Sequence, residues 1–91
     1  MKAIKIKMKP GCHASNNLVE IDEIYLVGAG KEGFYKKADV HDYLKKNPDS
    51  IQVNIYPYPN CIPVTSIYGE KYVKSSPNNS QRDNLLNLPR V

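Results

Sequence analysis

From residue 2 to residue 9 apolar and polar side chains alternate: Ile4, Ile6 and Met8 fall on one side, and Lys5, Lys7 and Lys9 on the other. A period of two predicts a strand with one buried face. Pro10-Gly11 ends it, and Cys12 to Asn17 is a polar loop. The next run, Leu18 to Val27, changes parity along its length. Val19, Ile21, Tyr25 and Val27 share one side, interrupted by Glu23, while Leu18, Ile24 and Leu26 share the other. Two accounts stay open: a bulge or bend near Glu23 that switches the buried face, or a strand covered on both sides at its end. Gly28 to Gly33 is a flexible turn.

Only Lys37 to Lys46 carries a helical period. Val40, Tyr43 and Leu44 stand at i, i+3 and i+4, one stripe of an α-helix. Asp39 and Asp42 lie toward the positive end of the helix dipole, Lys45 and Lys46 toward the negative end. Asp42 and Lys46 form an i, i+4 pair in the favourable order. The N-cap is poor, with Lys36 and Lys37 where Ser, Thr or Asp would serve better. Asn47-Pro48 stops the helix, because the proline drives Asn47 out of the α region. A helix this short needs a surface to lie on, and a sheet face supplies one.

Ile51, Val53 and Ile55 alternate with Gln52, Asn54 and Tyr56, the strongest strand pattern in the chain. Pro57 to Pro63 reads as an extended loop or crossover, since three prolines in seven residues cannot sustain a ladder. Val64–Tyr68 and Lys71–Lys74 are short strands joined at Gly69-Glu70 as a hairpin, and Ser75 to Ser80 is loop. Leu85, Leu86 and Leu88 are too apolar for a loose tail and predict a segment packed back on the domain, as one helical turn. The whole predicts an α+β fold: a small, mostly antiparallel sheet of about five short strands with one helix on one face, in a single domain over residues 1–91.

Composition narrows the class. With 41% apolar and 24% charged residues the chain is globular rather than disordered or fibrous. Seven Tyr against one Phe and no Trp predict many half-buried rings, because each hydroxyl needs water or a partner. The formal charge is +4, and Lys2, Lys5, Lys7 and Lys9 crowd the first strand. They attract an anionic partner or simply coat an edge strand against edge-to-edge pairing, and the second is the commoner use. Two cysteines make no disulfide framework, and no signal peptide or membrane span is visible. A cytoplasmic protein with reduced thiols follows as the expectation.

Chemical motifs are sparse. Cys12, His13, His41 and Cys61 lack the spacing of a metal site. Cys61 with His41 meets only the minimum for a thiol enzyme, as most chains of this size would. Gly28-x-Gly30-x-x-Gly33 matches a dinucleotide fingerprint as letters, yet no βαβ unit surrounds it, so a turn is the better reading. Lys5, Lys7 and Lys9, at spacings of roughly 7 Å along a strand, together with Tyr72 and Lys74, combine cations and rings in the manner of single-strand binding. Against that stand a small net charge, scarce Arg and no ribonucleoprotein motif.

The C-terminal third, Lys71-Tyr-Val-Lys74, a Ser/Pro/Asn loop, then Asp83-Asn-Leu-Leu-Asn-Leu-Pro89, resembles the ending of a bacterial family catalogued as domain of unknown function three-eight-nine-two. The resemblance covers Leu18 to Pro89, with Val73-Lys74 and the Pro-Tyr-Pro loop as departures. It implies no activity, cofactor or catalytic residue. The expectation is therefore a non-enzymatic protein-interaction or accessory domain, without cofactor or metal and not in a membrane, whose protein partner is unknown and for which homo-oligomers are open. The alternative is nucleic-acid binding through a Lys/Tyr sheet face at Lys5, Lys7, Lys9, Tyr72 and Lys74.

Overall fold

The computed structural model describes residues 1–76 and 83–91. Its elements are β1 (Lys2–Met8), β2 (Ile21–Val27), β3 (Gly33–Lys36), α1 (Lys37–Lys46), β4 (Gln52–Val53), β5 (Cys61–Thr65) and β6 (Lys71–Ser75), with 3-10 turns at Leu18–Glu20 and Asn84–Asn87. The fold is α+β with one helix and mostly antiparallel pairing. The strands divide between two sheets, one ordered β3-β2-β1-β4 and the other formed by β5 and β6. Of the predicted loop Ser75–Ser80, residues 77–80 lie outside the described residues; Ser75 itself closes β6.

Two bulges set which side chains face inward. Ala3 pairs with Leu26 and Lys5 with Tyr25, so Ile4 is the extra residue; Ala3 is fully buried and Ile4 only half-buried. At the other end Lys7 pairs with Glu23 and Met8 with Ile21, which leaves Asp22 unpaired and moves the buried face of β2 from Ile24 to Ile21. This is the switch near Glu23 that the parity change predicts. The first strand is not an edge. β4 lies parallel to it at Lys2–Ala3. Farther along, the C-terminal segment takes over that edge, with Ile6 N–H donating to Pro89 O (2.9 Å) and Val91 N–H to Ile6 O (3.1 Å). The edge-protection reading of its lysines is thereby overturned: main-chain pairing covers both sides of β1.

α1 has the predicted limits but a rotated buried stripe. Lys37, Val40, His41 and Leu44 are buried, while Tyr43 is 42% exposed. The helix packs against β5 and β6 as well as β2 and β3, so a wider face is covered than one sheet would cover. Lys36 supplies no side-chain cap, as its type predicts.

The run from Ile51 to Tyr56 forms a ladder only at Gln52–Val53. Burial still alternates, with Ile51 and Val53 fully buried. The chain then turns through Ile55–Tyr58 and returns beside β4, with Val53 N–H donating to Pro59 O (2.9 Å) and Cys61 N–H to Ile51 O (2.8 Å). The second sheet therefore begins earlier than predicted, at Cys61 rather than Val64, and Ile67 and Tyr68 are turn residues. Pro63 is tolerated in β5 because that strand pairs on one side only, with β6. The C-terminal leucines pack back as expected: Leu85, Leu86 and Leu88 are buried around the Asn84–Asn87 turn, whose N-cap Asp83 accepts from Leu85 N–H at 2.9 Å.

Candidate functional site

The tip of the β5–β6 hairpin is tightly specified by its own polar groups. Ser66 Oγ accepts from the amides of Tyr68 (3.2 Å) and Glu70 (3.1 Å). Ser66 N–H donates to Glu70 O, and Gly69 N–H to Ser66 O, each at 2.9 Å. Gly69 takes φ +81, a left-handed conformation that a side chain would strain. Between these anchors Ile67 and Tyr68 project outward, 92% and 90% exposed.

An ionic clasp holds the base of the tip. The Glu70 carboxylate accepts from Lys9 Nζ at 2.8 Å and from Lys37 Nζ, and Lys37 also donates to Val19 O. One carboxylate thus ties the tip to the end of β1, the start of α1 and the 3-10 turn before β2. Hydrogen bonds from Lys37 and then Lys9 pull the Glu70 carboxyl far down, to about 2. Burial acts the other way on Lys37: its ammonium loses water against the core, and its pKa falls despite the bond to Glu70. Lys9, in more open surroundings, is raised by the hydrogen bond to Glu70. Beside the clasp, Lys71 Nζ pairs with Asp42 Oδ1 at 2.9 Å, and Lys45 and Lys46 lie nearby on the same cavity wall.

The five sequence-derived candidates are not one site. Lys5 and Lys7 stand on the outer face of the four-stranded sheet, where strand pairing brings Tyr25 and Phe34 beside them. Lys5 Nζ lies 4.5 Å from the Tyr25 ring centroid and 5.8 Å from that of Phe34. The two rings meet edge to face at 5.0 Å. The ammonium thus occupies a ring face on which a base would stack. Lys7 Nζ is 3.8 Å from Glu23, whose carboxylate also faces Lys36 at 3.7 Å. Lys9 belongs to the clasp. Tyr72 and Lys74 are on β6 in the second sheet, with Tyr72 lining an open cavity beside Leu18, Val19 and Leu86. Missed from the sequence were Tyr25, Phe34, Ile67 and Tyr68. The signal for the last two was Ser66 three residues before Gly69, a turn-forming hydroxyl read as part of a strand.

Other reactive groups are spoken for. Cys12 Sγ donates to Glu20 Oε2 at 3.1 Å, which raises its pKa, and burial pushes the Cys61 thiol up to about 12. His41 is buried, with Nδ1 3.2 Å from Asp42 Oδ1 and Nε2 3.4 Å from Thr65 Oγ1. The second contact is a weak hydrogen bond, and Lys71 competes for Asp42. Among the described residues, no three His, Cys, Asp or Glu side chains gather as metal ligands. Among the same residues, no helix is long and apolar enough to cross a membrane. The profile of a family described as "Protein of unknown function (DUF3892)" matches residues 35–89, more than half of the chain. That match ends where the sequence resemblance ends and begins at Tyr35 rather than Leu18. No curated protein and no solved structure matches the chain.

Proposed function

We propose a non-enzymatic, partner-binding role in the cytoplasm for this chain, which belongs to the DUF3892 family of proteins of unknown function. One observation carries the reading: two large apolar side chains, Ile67 and Tyr68, are held outward on a tip whose backbone is fixed by Ser66 and whose base is fixed by Glu70. Burying such a side chain against a partner is worth roughly 1.5–3 kcal/mol. A tip already fixed in shape loses little further entropy on docking. Lys71, Lys45 and Lys46 beside it favour a protein surface with an apolar socket and an acidic rim.

The test is site-specific photocrosslinking in cells that make this chain, with the photoreactive residue at Ile67 and a control at exposed Asn54. A discrete protein adduct is expected from position 67 only. Unlabelled wild-type chain should compete it away, whereas a competitor carrying Ile67→Ser and Tyr68→Ser should not. Equal adducts from both positions, or equal competition, would sink the reading; an adduct with a second copy would make the partner a homo-oligomer. The second reading is nucleic-acid binding on the sheet face that carries Lys5, Lys7, Tyr25 and Phe34, where Lys5 would have to yield the Tyr25 ring to a base. Oligonucleotide anisotropy at about 50 and about 200 mM salt decides it. Salt-sensitive binding that vanishes with Lys5→Ala and Lys7→Ala would replace the first proposal.

A further inference from the structure

A cleft of about 310 Å³ opens between α1 and the loop that leads from β2 to β3. Its size is at the lower end of small-molecule sites. Leu26 and Val40, both buried, line it together with Met1 and with Tyr35 and Tyr43 of β3 and α1. The loop itself contributes Ala29 and Lys31. Positive φ at Gly28 (+104) and Gly30 (+80) shapes that loop, and Tyr35 Oη–H donates to Lys31 O, tying it back onto β3. The Gly-x-Gly-x-x-Gly letters thus build a cleft wall, not a phosphate cradle.

Two side chains of opposite charge line the cleft, beside Met1, whose α-ammonium is taken up by Ser50 O at 2.9 Å. Asp39, in the first turn of α1, and Lys31, on the loop, both line the cleft. Among the described residues neither forms an ion pair, with the other or elsewhere, although most lysines on the neighbouring surfaces do have a carboxylate or ring as partner. An apolar lining with two separated, opposite, unpaired charges is complementary to one ligand chemistry. An amine alone would leave Lys31 unmatched and an acid alone would leave Asp39 unmatched.

We propose that this cleft binds a small zwitterion with an apolar side chain, an aliphatic or aromatic α-amino acid in its chemistry, with its ammonium on Asp39, its carboxylate on Lys31 and its side chain on Leu26, Val40, Tyr35 and Tyr43. The site is independent of the hairpin tip, so each can fail alone.

The experiment is an amide NMR titration of the full chain with leucine, phenylalanine, phenethylamine, 3-phenylpropionate and glycine. Leucine or phenylalanine should shift the amides of Leu26, Ala29 to Lys31, Val40 and Tyr43, saturating with a Kd of about 1 mM or below. Glycine should leave them still, and the amine and the acid should each bind about fivefold or more weakly than phenylalanine. Asp39→Asn and Lys31→Met, both at exposed positions, should each weaken binding by a similar factor, and Ala29→Trp should fill the cleft and abolish it, with dispersed spectra confirming the fold. The Ile67→Ser, Tyr68→Ser chain should bind as wild type. The proposal is overturned by the absence of saturating shifts up to about 20 mM. Equal binding of the uncharged-end analogues would also overturn it. So would cleft shifts that follow protein concentration together with Ile67 and Tyr68, since a second copy's tip would then be the occupant.

Discussion

Two aliphatic residues in one chain, Leu85 and Ile67, should respond oppositely to truncation. Leu85 is fully buried, and its turn is tied down on every side. Asp83 accepts from Leu85 N–H and from Ser75 N–H, while Arg90 donates to Leu86 O at 3.0 Å and to His13 O and Ser15 O at 2.7 Å. With so many bonds holding the backbone, Leu85→Ala leaves a cavity that cannot collapse, and the cost belongs well up the range for buried leucine, about 3–4 kcal/mol. For a chain of 91 residues each kcal/mol is worth about 5 °C, so Tm should fall by about 15–20 °C. Ile67 is 92% exposed, and Ile67→Ala should change stability by less than about 0.5 kcal/mol. Urea unfolding followed by circular dichroism reads both, and an unchanged m-value shows that stability alone has moved. A cost below about 1 kcal/mol for Leu85→Ala would refute its place in the core. A cost above about 1 kcal/mol for Ile67→Ala would mean the tip is folded against the domain, and the partner-binding reading would lose its support.

Two further outcomes follow from the charged and thiol groups. Glu70 titrates near 2 in the folded chain against an ordinary 4.5, so its contribution is fully present above about pH 4.5 and is lost as pH falls toward 2. Acid titrations of stability should therefore be shallower over that window for Glu70→Gln than for wild type; identical slopes would remove the clasp as the cause of the shift. Iodoacetamide at neutral pH should leave Cys61 unlabelled until the chain unfolds, since burial raises its thiol to about 12, and should label Cys12 more slowly than a free cysteine because its thiol donates to Glu20. Fast native labelling of Cys61, read by peptide mass spectrometry, would contradict its burial.

What was legible in the sequence was what neighbouring residues decide among themselves. Asn47-Pro48 ends α1 where it must, and Glu23 betrays the bulge in β2 because an acid cannot sit at the buried parity. The bulge at Ile4 left no trace, since Ala3 and Ile4 are both apolar and either could have been buried. The limits of β5 were hidden for another reason: Val64, Thr65, Ile67 and Tyr68 are all strand-forming residue types, and only the Ser66 hydroxyl, bonded to two amides ahead of it, turns the chain early. Pairing across the chain was hidden altogether. Nothing in Pro89–Val91 announces that it will cover β1 at Ile6, and nothing in Lys5 announces Tyr25 and Phe34 as its neighbours. The same hidden pairing dismantles the lysine site read from sequence. Lys9 leaves the face for Glu70, Lys7 meets Glu23, and Tyr72 and Lys74 go to another sheet. Ile67 and Tyr68 stand out against this background. Tyr56 is also exposed, but Ile67 and Tyr68 are the most exposed large apolar side chains among the described residues, and they are presented by a turn whose shape is held by a serine, a glycine and an ion cluster that joins three elements. A loop left exposed by chance has no need of such fixing, and a loop that docks with a partner does.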